Sequence, residues 1–82
     1  MTELHVRQMC LALAEHWARQ YGITPDEIMG NSHRANIAEA RQRVYLEASK
    51  AGASMAAIGR AMKRDHATIM HGVAAARGRL AA

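Results

Sequence analysis

Apolar and polar positions alternate along the chain with a helical period, and the pattern breaks at four places. Val6, Cys10, Leu13, Trp17 and Tyr21 recur at spacings of four, three, four and four. That is one face of a 3.6-residue repeat, so residues 3–21 are predicted as one amphipathic helix. Thr2 is placed to cap its start, and Gly22 to stop it. Leu4, Leu11 and Ala18 form a second stripe, read as the edge of a wider core face. Thr24-Pro25-Asp26-Glu27 then opens a one-turn helix. Thr24 and Glu27 have capping-box spacing, Pro25 suits the first helical position, and the acids suit the positive end of the dipole. Gly30 ends it, and a polar loop follows through Arg34.

A third helix is expected from about Asn36 to Lys50. Ile37, Ala40, Val44 and Ala48 would face inward, with Arg41, Gln42 and Arg43 around the exposed side. Gly52 stops it. Ser54 caps a short helix through Met62, with Met55, Ile58 and Met62 inward. Lys63-Arg64 is a tight turn. Asp65 caps a last helix carrying Ile69, Val73, Ala76 and Leu80 inward. Gly72 and Gly78 are weak points in that helix, with fraying expected after Gly78. The whole chain reads as one all-α domain, 1–82, a small helical bundle. Its two short helices around a tight turn, about 54–78, have the form of a helix-turn-helix.

Composition sharpens this picture. Alanine occurs 18 times, whereas Ile, Leu and Val together occur 13 times and Phe is absent. A β-sandwich would need more β-branched and aromatic residues. The core is therefore small-residue and helical, with Met, Trp17, Tyr21 and Tyr45 filling volume. The single cysteine, Cys10, excludes an internal disulfide and sits in an apolar stripe, as a buried small hydrophobe does.

Charge adds a partner. The net charge is +4. Residues 1–47 hold five arginines against six acids, a net −1. Residues 48–82 hold six basic side chains against Asp65 alone, a net +5. A basic half on a small domain suits a polyanion, nucleic acid first, and with the helix-turn-helix form the expected partner is double-stranded DNA. Lys63 and Arg64, just before the last helix, are expected to touch phosphate, as is Arg60 on the exposed face of the helix before. Arg77 and Arg79 fit either phosphate contact or complementing the helix dipole.

Other chemistries find little support. His66 and His71 point about 140° apart on a helix, and no Cys/His cluster has zinc spacing, so no metal is expected. No nucleophile motif accompanies Asp65-His66, and no enzyme activity is expected. No phosphate-binding Gly-x-x-x-x-Gly-Lys-Ser/Thr loop occurs, so no nucleotide and no cofactor are expected. No apolar run reaches the ~18 residues of a membrane span, and Met1–His5 does not open a signal peptide. A cytoplasmic protein is expected, and the family resemblance given below would add association with the bacterial nucleoid.

One stretch is more specific. Ile58-Gly59, then Arg64-Asp65-His66-Ala67-Thr68, then His71-Gly72 closely resembles the signature of the C-terminal DNA-binding domain of the bacterial replication initiator DnaA. Tyr21-Gly22-Ile23 with Asp26-Glu27-Ile28, and Ile37-Ala38 with Arg41-Gln42, extend the similarity to about residues 10–80. The resemblance implies a domain that reads a short asymmetric site, the DnaA box, with its last helix in the major groove. It places Asp65 and His66 on base-reading positions, and Arg34 as the arginine entering the minor groove. Lys50 falls near a further base contact. Arg41, Gln42 and Thr68 fall on phosphate positions. A carboxylate can accept from a cytosine amino group, and an imidazole can bond a purine N7 or cover a thymine methyl.

The departures from the family pattern are informative. Ala67 replaces the usual threonine, keeping a methyl for thymine and losing a hydroxyl. Met62-Lys63-Arg64 replaces Phe-Gly-Gly-Arg, and a turn without glycine is expected to use ordinary dihedrals. Together they predict weaker binding or an altered site. The expected role is modulation of replication initiation by a free-standing protein, in competition with a full-length initiator at shared sites. The alternatives are a transcription regulator, chromosomal or phage-derived, reading its own operator, and a protein-interaction module that has lost strong DNA binding.

Overall fold

The computed structural model describes all 82 residues, as five helices in a body of 30 × 25 × 19 Å. They are α1 (Glu3–Tyr21), α2 (Pro25–Met29), α3 (Ala35–Lys50), α4 (Met55–Met62) and α5 (His66–Ala81). Four of the starts carry the side-chain caps the sequence predicts. Thr2 Oγ1 accepts from His5 N–H at 3.1 Å, and Ser54 Oγ from Ala57 N–H at 3.1 Å. Asp65 Oδ1 accepts from Thr68 N–H at 2.7 Å. Thr24 and Glu27 form the reciprocal capping box, at 3.1 and 2.9 Å. Each cap satisfies an otherwise orphaned backbone donor, typically worth about 1 kcal/mol.

Helix α3 is central. It packs on α1, α2, α4 and α5. That surroundedness corrects the expectation of a single inward stripe. Ile37, Ala40, Val44 and Ala48 are buried as predicted, but so are Arg41, Tyr45 and Leu46. A helix with neighbours on most sides has little exposed face to give its polar residues. Around it lies one core: Val6, Cys10, Ala14 and Ala18 of α1, Ile28 of α2, Ile58 and Met62 of α4, and Ile69, Val73 and Ala76 of α5. Cys10 is fully buried, and burial pushes its thiol up to about 11, so it packs as an apolar group.

Two expectations for α5 change. Leu80 is exposed rather than inward, since Ala76 is the last residue of the helix to be buried. Gly72 is a packing requirement rather than a weak point. A Cβ there would stand 2.5 Å from Tyr45 Cδ2 and 3.3 Å from Gln42 Cγ. The missing side chain lets α5 close on the Tyr45 ring of α3, which an alanine would hold off.

The turn between α4 and α5 also differs from expectation. Lys63 has φ 57° and ψ 47°, the left-handed region, although it is not glycine. Arg64 N–H reaches back to Gly59 O at 2.8 Å, closing the helix end as a Schellman turn, which requires a left-handed residue at that point. The backbones meet closely here: a Cβ on Gly59 would lie 2.6 Å from Arg64 O. The Ile58-Gly59 pair thus supplies one core side chain and one point of contact between α4 and the turn.

Candidate nucleic-acid interface

The three consecutive residues at the start of α5 are all exposed: Asp65, His66 and Ala67. Asp65 does two things at once. Its bond from Thr68 N–H, with the Thr68 side chain adding to it, holds the carboxyl below its usual value. At neutral pH it is therefore an ionised acceptor, the state needed to take a hydrogen bond from a base amino group. The cap also orients it along the helix tip, the part of a recognition helix that reaches base edges.

Behind this tip lies an open cleft of about 720 Å³ between α3, α5 and the loop that follows α2. Its walls repeat the helical period twice. Ala38, Arg41, Gln42 and Tyr45 come from α3, and Thr68, His71, Gly72 and Ala75 from α5. Both sets follow the spacing i, i+3, i+4, i+7, one face of each helix. Asn31, His33 and Arg64 complete the rim. The cleft therefore brings together four of the six phosphate-contacting candidates, Arg41, Gln42, Arg64 and Thr68. His71 is exposed on its wall.

The two arginines are held by backbone carbonyls. Arg41 donates from Nε to Ile28 O at 2.7 Å, from Nη1 to Ser32 O at 2.9 Å and from Nη2 to Glu27 O at 3.0 Å. It is 7% exposed, which overturns its placement on the exposed side of α3. The guanidinium fork matches three carbonyls from the end of α2 and the following loop, and so fixes that loop against α3. Burial pulls Arg41 below the ordinary arginine range, with Tyr45 opposing and Arg64 adding to the shift. An arginine remains charged at neutral pH all the same. Arg64 donates to Met62 O at 2.9 Å and to Gly30 O, tying the turn of the motif to the end of α2. Carbonyl partners leave the positive charge uncancelled, and both charges stand at the cleft.

Four cations elsewhere are paired with carboxylates. Arg60 pairs with Glu3 at the start of α1. Arg79 lies 3.5 Å from Glu39, and Lys50 Nζ lies 3.8 Å from Glu47. Arg43 bonds Glu47 at 2.9 Å and covers the Trp17 ring at 4.3 Å. The charge asymmetry seen along the chain is thus partly folded away, as acids of the first half meet cations of the second. Lys63 and Arg77 are exposed and without a carboxylate partner. Arg34 is exposed at the start of α3, where its backbone N–H bonds Ser32 Oγ at 3.3 Å.

The fold therefore separates the candidates. Asp65, His66 and Ala67 share the tip of α5, and Arg41, Gln42, Arg64 and Thr68 share the cleft beside it. Arg60 and Lys50 are engaged by carboxylates. Asn31, Tyr45 and Gly72 were not singled out for the site from sequence. A glycine inside a helix was the available signal for the last, since it marks a close approach as readily as a weak point.

No helix is long and apolar enough to cross a membrane. The family model for the bacterial DnaA protein helix-turn-helix matches residues 12–75. No curated protein and no solved structure matches the chain.

Proposed function

The chain belongs to the bacterial DnaA helix-turn-helix family, whose members bind DNA, and from that premise we propose that it reads a short DnaA-box-like duplex site and modulates replication initiation. The observation that carries this reading is the capped, ionised and exposed Asp65, set beside exposed His66 and Ala67 at the mouth of a cationic cleft. In this reading α5 enters the major groove. Asp65 accepts from a cytosine amino group, His66 bonds a purine N7, and Ala67 lies on a thymine methyl. Arg34 reaches the minor groove from the loop before α3. Lys50 reads a base only by giving up its contact with Glu47.

Phosphates seat along the cleft. There Thr68 and Gln42 supply donors and Arg41 and Arg64 supply charge, while Lys63 donates from the turn outside the cleft. Arg41 contributes by holding the loop and by its field, since its guanidinium is already committed to three carbonyls. Arg60 contacts the backbone after leaving Glu3. At sites shared with a full-length initiator the chain competes for the duplex, and such binding places it on the nucleoid. A second reading, a transcription regulator with its own operator, is favoured by Ala67, which alters what the helix tip can recognise.

Selection from random duplexes tests the proposal. Enrichment of a DnaA-box-like site, with affinity falling steeply as salt rises, is the expected result; each phosphate contact contributes about −0.9 to the slope of log K against log salt. His66→Ala is expected to cost about 1–3 kcal/mol on that site and to relax preference at one position. Enrichment of an unrelated motif would support the regulator instead. Absence of binding at low salt would leave the interaction module.

A further inference from the structure

From the outward face of α5 we infer that Met70 is a further specificity-determining residue, covering a thymine methyl one helical turn beyond His66. The inference rests on the proposal that α5 reads the major groove. Met70 is 48% exposed. The other large apolar side chains left exposed are Met1, Leu4, Leu11 and Leu80, at the two chain ends or along α1. Met70 alone among them stands in the first two turns of α5. At 100° per residue it lies about 40° from His66 and about 60° from Ala67, on the same side of the helix. Ile69, next in sequence, turns fully into the core, which fixes the rotation of α5 and so the outward direction of Met70.

The surroundings define what Met70 can contact. His66, Ala67, His71 and Ala74 flank it, and all are exposed. None of them is an acid that would repel a phosphate backbone. The two alanines leave the helix surface low on one side of Met70, with His66 on the other. A thioether carries no charge and is only a weak acceptor, so it is poorly suited to bind phosphate or to read a base by hydrogen bonding. It is flexible and polarisable, suited to covering an apolar group. In the major groove that group is the C5-methyl of thymine. One helical turn of four residues advances about 6 Å along α5. Met70 therefore extends recognition past the base pairs under Asp65 and His66, with an apolar contact where those two residues use polar ones.

The test is a coupling experiment on the selected duplex. Each thymine is replaced in turn by deoxyuridine, which removes only the methyl, and affinity is measured for the unaltered chain, Met70→Ala and His66→Ala. Burying one methyl is worth about four-fold in affinity. At one thymine, deoxyuridine is expected to weaken the unaltered chain by about that factor and to leave Met70→Ala unaffected. Met70→Ala is expected to lose a similar factor on the intact site and nothing on random duplex. If every deoxyuridine acts equally on both proteins, or Met70→Ala loses as much on random duplex, the inference is overturned. His66→Ala separates the two levels. Preference that depends on His66 but shows no coupling to Met70 overturns this inference alone, whereas no preference for any duplex overturns the reading of α5 as well.

Discussion

Helices α1 and α4 end in the same turn with different residues. After α1, Gly22 takes φ 67° and Ile23 N–H returns to Ala18 O at 2.9 Å. After α4, Lys63 takes φ 57° and Arg64 N–H returns to Gly59 O at 2.8 Å. The geometry is shared, but a glycine meets it without steric cost, whereas an L-residue gives up about 1–2 kcal/mol. The first turn only redirects the chain toward α2. The second leads into the helix-turn-helix, and there the chain keeps a cation on a strained residue. Local rules tend to be broken where function gains from it, and under the proposed function a positive charge just before α5 is such a gain.

Breaking the second turn has the largest expected effect. Gly59→Ala forces a Cβ against Arg64 O, a backbone atom with no rotamer to escape into. It is expected to cost about 2–3 kcal/mol in urea unfolding, the upper part of the overpacking range, and to weaken DNA binding with it. Gly22→Ala meets nothing within 4 Å and carries only the backbone strain. Its expected cost is about 1 kcal/mol, with DNA affinity of the folded protein unchanged.

Lys63→Gly sharpens the comparison, because stability and binding move in opposite directions. Relief of the left-handed strain, less the entropy glycine adds to the unfolded chain, is expected to stabilise by about 0.5 kcal/mol. Loss of the cation is expected to weaken all duplexes alike and to reduce the salt slope by about 0.9. A gain in stability without change in the slope would show that Lys63 faces no phosphate.

The smallest effect concerns the cap just beyond this turn. The Asp65 carboxyl is held below its ordinary value by the bonds from Thr68. A depressed folded value stabilises above the unfolded pKa of about 3.9, and the stabilisation is lost as pH falls through the lower folded value. Asp65→Asn is expected to flatten the acid limb of stability in that window and to leave the alkaline side unchanged. A proton titration of Asp65 by NMR, giving an ordinary carboxylate value, would remove the effect.

Much of the fold was legible in the sequence because its signals are local. Thr2, Thr24, Ser54 and Asp65 stand where helix starts need acceptors, and Gly22 where one needs a left-handed stop. Arg64-Asp65-His66 was legible as the helix tip for the same reason. Arg41 was not. On its own helix it looks like a solvated residue, and only the approach of Glu27, Ile28 and Ser32 carbonyls makes it a buried tie. Lys63 was misread because residue type suggested ordinary dihedrals, while the crossing of α4 and α5 dictated the turn.

The same division holds for charge. The chain alone determined five helical segments, most of their caps, a net +4 and a basic second half, since these depend on neighbours a few residues apart. Tertiary structure decided which cations remain unpaired. Glu3, Glu39 and Glu47 meet Arg60, Arg79 and Lys50, whereas Arg41 and Arg64 bind carbonyls and keep their charge at the cleft. Arg60 and Arg79 lie 57 and 40 residues along the chain from their acids, separations that no periodicity encodes and only packing brings together.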